Sequence, residues 1–333
     1  MKGDFSKAGY RLFAVSAGCL LFALAYLNRT TFPFPWNDEA RFYLPALWWA
    51  EHFSLSPLNL HAPQGIFWVP DGFTVFIGLA LRFFGETIGV ARAVCEFAVA
   101  LGVTLFAFGF RKLGASWQAG MLGTFLLLTP PVVFAANMVR MEAPLFLLIA
   151  LVLLLHVHEY VLAAASLLIG SLLFHPALGV AAIAYVGIAV LAGKGSTKRS
   201  IAAFEWPVAA IVALGIFAEF FRIMHHWNLF EAHMTYQLLH KLHRPLRTIL
   251  IKPQGLILLI CSVAIALLMA RRYATSRVHL LREVMPVTAI ALGILIYAVF
   301  GDEMVYDVYS LSICPALVFC LVYRDFAEGV IPS

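Results

Sequence analysis

Two carboxylates stand side by side in Trp36-Asn37-Asp38-Glu39-Ala40-Arg41-Phe42-Tyr43, a few residues beyond the first membrane-length apolar run, Leu12 to Leu27. Ionised groups are costly beside hydrocarbon, so an acidic pair held at that edge marks a candidate functional site, with a solvated loop pair as the alternative. Further along, Asn137-Met138-Val139-Arg140-Met141-Glu142-Ala143-Pro144 sets Arg140 and Glu142 in a turn between two apolar runs. They either join the same site or cap helix ends, and Pro144 is tolerated because it falls in a first helical turn. Arg92 and Glu96 are four apart and share a helix face, which reads first as an intrahelical ion pair and second as an arginine facing a cavity. His175-Pro176 lies between two short apolar runs, where a recessed histidine either lines a cavity or satisfies a backbone carbonyl. The stretch from Arg222 to Lys252 concentrates His225, His226, His233, His240, Lys241, His243, Arg244 and Arg247. Arginine offers phosphate a bidentate fork and lysine a point charge, so this stretch suits a phosphate at head-group depth. Contacts to anionic lipid and a histidine metal site are the rival readings.

These residues need a frame, and the composition supplies it. Of 333 residues 62% are hydrophobic and only 12% charged, which excludes a water-soluble globule and indicates a polytopic membrane protein. Apolar runs at about 11–27, 86–110, 116–136, 142–157, 160–174, 176–192, 202–223, 249–270, 284–301 and 308–323 predict about ten transmembrane helices in a single all-α domain covering 1–333. The first reads as a retained signal anchor. The connections 111–115, 193–200 and 271–283 carry Arg111, Lys112, Lys194, Lys198, Arg199, Arg271, Arg272, Arg277 and Arg282, and all fall on one side, with Lys2, Lys7, Arg11 and Arg324. The positive-inside rule makes that side cytoplasmic and leaves 28–85 and 224–248 as external loops. Within the first external loop, 40–53 is rich in aromatics and 73–84 is too short to cross, so both are expected as helices along the membrane surface, with Pro45 in the first turn or at a kink. The net charge of +5 sits in these inter-helix loops, so nucleic acid is not an expected partner. Five cysteines inside apolar runs, without paired or metal-ligand spacing, indicate neither a disulfide framework nor a zinc site.

The order of these features resembles the GT-C superfamily of membrane glycosyltransferases, which includes the protein O-mannosyltransferases and the lipid A aminoarabinose transferases. Asp38-Glu39 follows the first helix in a large external loop. Two surface segments come next, then Gly89-Val90-Ala91-Arg92, the short basic loop Arg111-Lys112-Leu113-Gly114, and Arg140-Met141-Glu142-Ala143-Pro144 in the next outer turn. The resemblance covers roughly residues 10–192, and Trp68-Val69-Pro70-Asp71-Gly72 stands where many members have Pro-Pro-Leu. It implies inverting transfer of a sugar from a polyprenyl-phosphate carrier to a hydroxyl acceptor on a glycan, lipid or protein, at the non-cytoplasmic face of a bacterial inner membrane or endoplasmic reticulum. Asp38 is then the expected base, with Glu39 as its alternate or partner. Arg92, Arg140, Glu142, His175, His240, Lys241, His243, Arg244 and Arg247 are the expected substrate-binding residues. Some relatives use a divalent cation (Mg or Mn), for which Asp38, Glu39, Glu142 and Asp302 could supply oxygens. A transporter or flippase for a lipid-linked or small anionic substrate is the other class the intramembrane charges allow, although no internal repeat supports it.

Overall fold

The computed structural model describes residues 7–28, 37–54, 71–175, 178–193, 202–225, 252–273, 280–300 and 307–329, with residues 227, 231 and 235; the side chains of Asn37 and Asp38 are not among them. The described residues form helices and no strand. They are α1 (Lys7–Asn28), α2 (Asn37–His52), α3 (Asp71–Phe84), α4 (Ile88–Leu113), α5 (Trp117–Leu127), α6 (Pro130–Ala136), α7 (Glu142–Val157), α8 (Val161–Gly170), a 3-10 turn (Ser171–Leu173), α9 (Gly179–Gly193), α10 (Glu205–His225), α11 (Pro253–Tyr273), α12 (Leu280–Phe300), and a π-helical turn (Tyr309–Ile313) leading into α13 (Cys314–Ala327).

Apolar helical segments therefore stand at all ten expected places, and α2 and α3 occupy the two surface segments. Five helices, α1, α4, α10, α11 and the last, are long and apolar enough to cross a bilayer singly, while α7, α8 with its 3-10 turn, and α9 are shorter apolar helices. The expected span 116–136 is broken. α5 and α6 meet at a 70° bend, because Pro130 and Pro131 lack the N–H groups that would continue the helix. Of the two places expected for Pro45, the first turn is ruled out. α2 begins at Asn37, upstream of the segment read from its aromatics, so Pro45 falls inside the helix and not in its first turn.

α4 is the hub of the bundle. Thr87 caps it, its hydroxyl accepting from the Val90 amide at 3.3 Å, and Arg111 and Lys112 in the last turn complement its dipole. α7 packs along α4, with α1, α5 and the surface helix α3 on its other sides. Bundles in lipid approach closely where side chains are small. A Cβ on Gly102 would come within 2.6 Å of the Phe146 ring, and one on Gly109 within 2.8 Å of Leu153, so these glycines set the distance between α4 and α7. α2 lies against α3, and Phe42 meets Phe73 edge to face at 5.4 Å between centroids.

The far end of α4 is fixed by charge. Arg324 on α13 donates to Glu283 on α12 at 2.6 Å and to the Leu113 carbonyl at 3.5 Å. Arg272 on α11 donates to Asp325 at 2.9 Å and lies 3.1 Å from Glu283. All four charged side chains are buried. The ends of α4, α11 and α13 and the start of α12 thus share one face, which is the face the loop charges mark as cytoplasmic.

Candidate functional site

The opposite end of α4 gathers the acidic and basic residues singled out by sequence. Glu39, in the first turn of α2, has no exposed surface. Its Oε1 accepts from Arg92 Nε at 2.9 Å and its Oε2 from Arg92 Nη2 at 2.6 Å, a two-pronged pair between α2 and α4. The Val139 amide, in the turn before α7, donates to the same Oε1 at 2.9 Å. One carboxylate therefore ties three elements together. Such a pair repays its desolvation only when the geometry is good and further hydrogen bonds satisfy the carboxylate, and here the two-pronged pairing and the Val139 amide meet those needs.

Beside it, Arg140 donates through Nε to Glu142 Oε1 and Oε2, each at 3.1 Å, with Nη2 at 2.9 Å from Oε1. Its guanidinium also lies 5.8 Å over the ring of Phe42 on α2. Glu142 is buried, whereas the Arg140 side chain keeps 14% of its surface exposed. The Arg140 backbone rests against Cys95 of α4, which lies close to Glu39 and Glu142. Glu39, Arg92, Arg140 and Glu142 are consequently one cluster at the junction of α2, α4 and α7. Arg92, which shares a helix face with Glu96, spends two of its donors on Glu39. Asp38 stands in the same helical turn as Glu39.

His175 is buried just after the 3-10 turn, in the segment that packs on α3: Leu173 meets Gly72, and Phe174 meets Phe76 at 6.2 Å. This corner also holds Asp71 and Glu219, which the sequence did not mark as site residues. Arg222, near the end of α10, bridges Asp71 Oδ2 at 2.8 Å and Glu219 Oε1 at 2.6 Å. Burial, reinforced by the neighbouring Glu219 carboxylate, outweighs Arg222 and lifts the Asp71 carboxyl from 3.8 to about 8. Glu219 could have been found from its spacing to Arg222, but the Asp71 partnership depends on how α3 docks.

His240, Lys241, His243, Arg244 and Arg247 lie outside the described residues, as does Asp302. Arg222, the first cation of that basic stretch, is bridged by the carboxylates of Asp71 and Glu219. Among the described residues no group of three or more His, Cys, Asp or Glu side chains is disposed to hold a metal. Each oxygen of Glu39 and Glu142 accepts from an arginine, so these two carboxylates do not fit the cation role expected of them.

Neither a family model nor a curated protein matches the sequence. Among solved structures, the crystal structure of ArnT from Cupriavidus metallidurans bound to undecaprenyl phosphate matches 96% of this chain, with a TM-score of 0.63 and 15% sequence identity. The chain spans 61% of that protein's length. At this identity the likeness is one of fold, and together with the helical membrane architecture it establishes the chain as a multi-pass membrane protein with a GT-C-like fold.

Proposed function

We propose that this protein is a membrane glycosyltransferase that moves a sugar from a polyprenyl-phosphate carrier to a hydroxyl acceptor at the non-cytoplasmic face, by inverting attack with Asp38 as the base. The observation that carries the reading is the anchoring of the first turn of α2 by Glu39 to Arg92 and the Val139 amide. An acid recruited as general base must be held in place, and Glu39, occupied by three hydrogen bonds, is a positioning residue for its neighbour. Asp38 takes the acceptor proton as the acceptor oxygen bonds to the anomeric carbon. The bond from that carbon to the phosphate oxygen breaks, and polyprenyl phosphate leaves with the electron pair.

Arg140 is the described cation best suited to the leaving phosphate. It is preoriented by Glu142 and Phe42, and its side chain is not fully buried. Arg92 is buried and holds α2. The GT-C-like fold, shared with a structure that contains undecaprenyl phosphate, supports a polyprenyl-phosphate donor.

The test is a transfer assay with purified protein in vesicles and a panel of polyprenyl-phosphate sugars with glycan, lipid and peptide acceptors. Formation of a glycosylated product with inverted anomeric configuration, and stoichiometric release of polyprenyl phosphate, is the expected result. Carriage of the labelled lipid across the vesicle membrane without transfer would contradict the proposal and indicate a flippase.

A further inference from the structure

At the end of α4 remote from the candidate site the helices leave a cavity of about 630 Å³. Its wall carries Lys7 and Arg11 from α1, Phe108, Arg111 and Lys112 from α4, and His158 from the turn after α7. Four permanent cations and a histidine thus converge from three helices. Along α4, Arg92 and Arg111 are about 28 Å apart at 1.5 Å per residue, roughly one hydrocarbon thickness. The cavity is therefore a separate site at the opposite head-group level, on the face the loop charges mark as cytoplasmic.

We propose that this cavity binds the phosphate head group of an anionic lipid. Among the described residues no carboxylate pairs with Lys7, Arg11, Arg111 or Lys112. The contrast lies on the same face, where the arginines that lock α11, α12 and α13, Arg272 and Arg324, are matched by Glu283 and Asp325. The acid nearest the cavity in sequence, Glu159, is not in its wall. Like charges gathered around one void repel each other, and an anion in the void relieves that repulsion.

The site is also built to hold one. The Arg111 guanidinium sits 4.9 Å over the ring of Tyr10, and the Tyr10 hydroxyl donates to the Ala107 carbonyl at 2.5 Å, so the fork is fixed before any ligand arrives. The volume lies within the range of about 300–1,000 Å³ typical of small-ligand sites and exceeds what one inorganic phosphate fills. A lipid head group and a soluble phosphate ester share the phosphate chemistry. The flank of α1 decides between them: Leu12, next to Arg11, is 68% exposed, and Val15 and Leu20 continue that apolar face into the bilayer. Acyl chains would lie there with the phosphate in the cavity, as in other basic pockets between transmembrane helices at the cytoplasmic side.

The experiment compares lipid retention by native mass spectrometry, and thermal stability, for protein exchanged into detergent micelles of phosphatidylcholine alone or with added phosphatidylglycerol or cardiolipin. The anionic lipids should be retained and raise the melting temperature, and phosphatidylcholine should do neither. Arg11 and Lys112 are exposed, so Arg11→Gln/Lys112→Gln should fold normally and weaken anionic-lipid retention at least tenfold. Arg271→Gln/Arg282→Gln, with the same charge change on the same face but outside the cavity, should retain lipid like the parent. Equal loss in both variants would overturn the site, since general charge bias would then account for the binding. Inorganic phosphate or pyrophosphate giving the full stabilisation without lipid would overturn the assignment to a lipid head group.

Discussion

At the scale of single residues, the candidate site depends on a buried charge pair that cannot lose one member cheaply. Glu39→Ala or Arg92→Met alone leaves an uncompensated buried charge, which typically costs about 3–5 kcal/mol. Glu39→Leu/Arg92→Met together should cost clearly less than the two single changes added. Thermal unfolding in detergent of the two singles and the double measures that coupling, and additive losses would mean the pair is not the tie between α2 and α4. Both residues were visible in the sequence, Glu39 as half of an acidic doublet and Arg92 as a charge within an apolar run. Their partnership was not, because residues 53 apart in the chain meet only once α2 has docked. The i, i+4 rule names only Arg92's neighbours on its own helix, so it could not point to a contact made across to α2. Arg140 and Glu142 were legible as a pair because their contact is local.

At the scale of elements, hydropathy located all ten apolar segments, since burial in lipid and burial in a helix bundle both demand continuous apolar surface. It did not show the 70° bend between α5 and α6, which the backbone chemistry of Pro130-Pro131 creates, or the early start of α2. It also missed the corner where α3 meets α10, because Asp71, Glu219 and Arg222 become one cluster only through docking. That corner has a testable pH response. The folded Asp71 carboxyl titrates at about 8 against 3.8 when free, so the docked state holds a proton the undocked state has lost. Docking of α3 on α10 is fully supported below about pH 4, weakens as pH rises from there to about 8, and changes no further above that. Protection factors of α3 amides, taken relative to intrinsic exchange at each pH, should fall across this window. Asp71→Asn, which keeps the shape and removes the titration, should flatten the profile, and an unchanged profile in that variant would assign the response elsewhere.

At the scale of the whole molecule, the charged groups gather at the two ends of the helix bundle. The network of Glu39, Arg92, Arg140 and Glu142 stands at one end of α4, while the Arg272, Glu283, Arg324 and Asp325 network and the basic cavity occupy the other. Loop charge had already divided the chain into the same two faces, because orientation in a membrane is encoded by short basic loops. With the native cysteines replaced by alanine, Glu86→Cys should react with an impermeant thiol reagent in intact cells, and Ala203→Cys only after permeabilisation. The reverse pattern would invert the topology and put the candidate site on the cytoplasmic face. The central claim, sugar transfer at the outer end of α4 with Asp38 as base, is tested most directly by comparing the parent and Asp38→Asn in the vesicle transfer assay at matched folding and insertion. The parent should form product with inverted configuration, and Asp38→Asn should lose transfer by at least a hundredfold, the scale of removing a general base, with its melting temperature unchanged. Full transfer by Asp38→Asn would contradict the account.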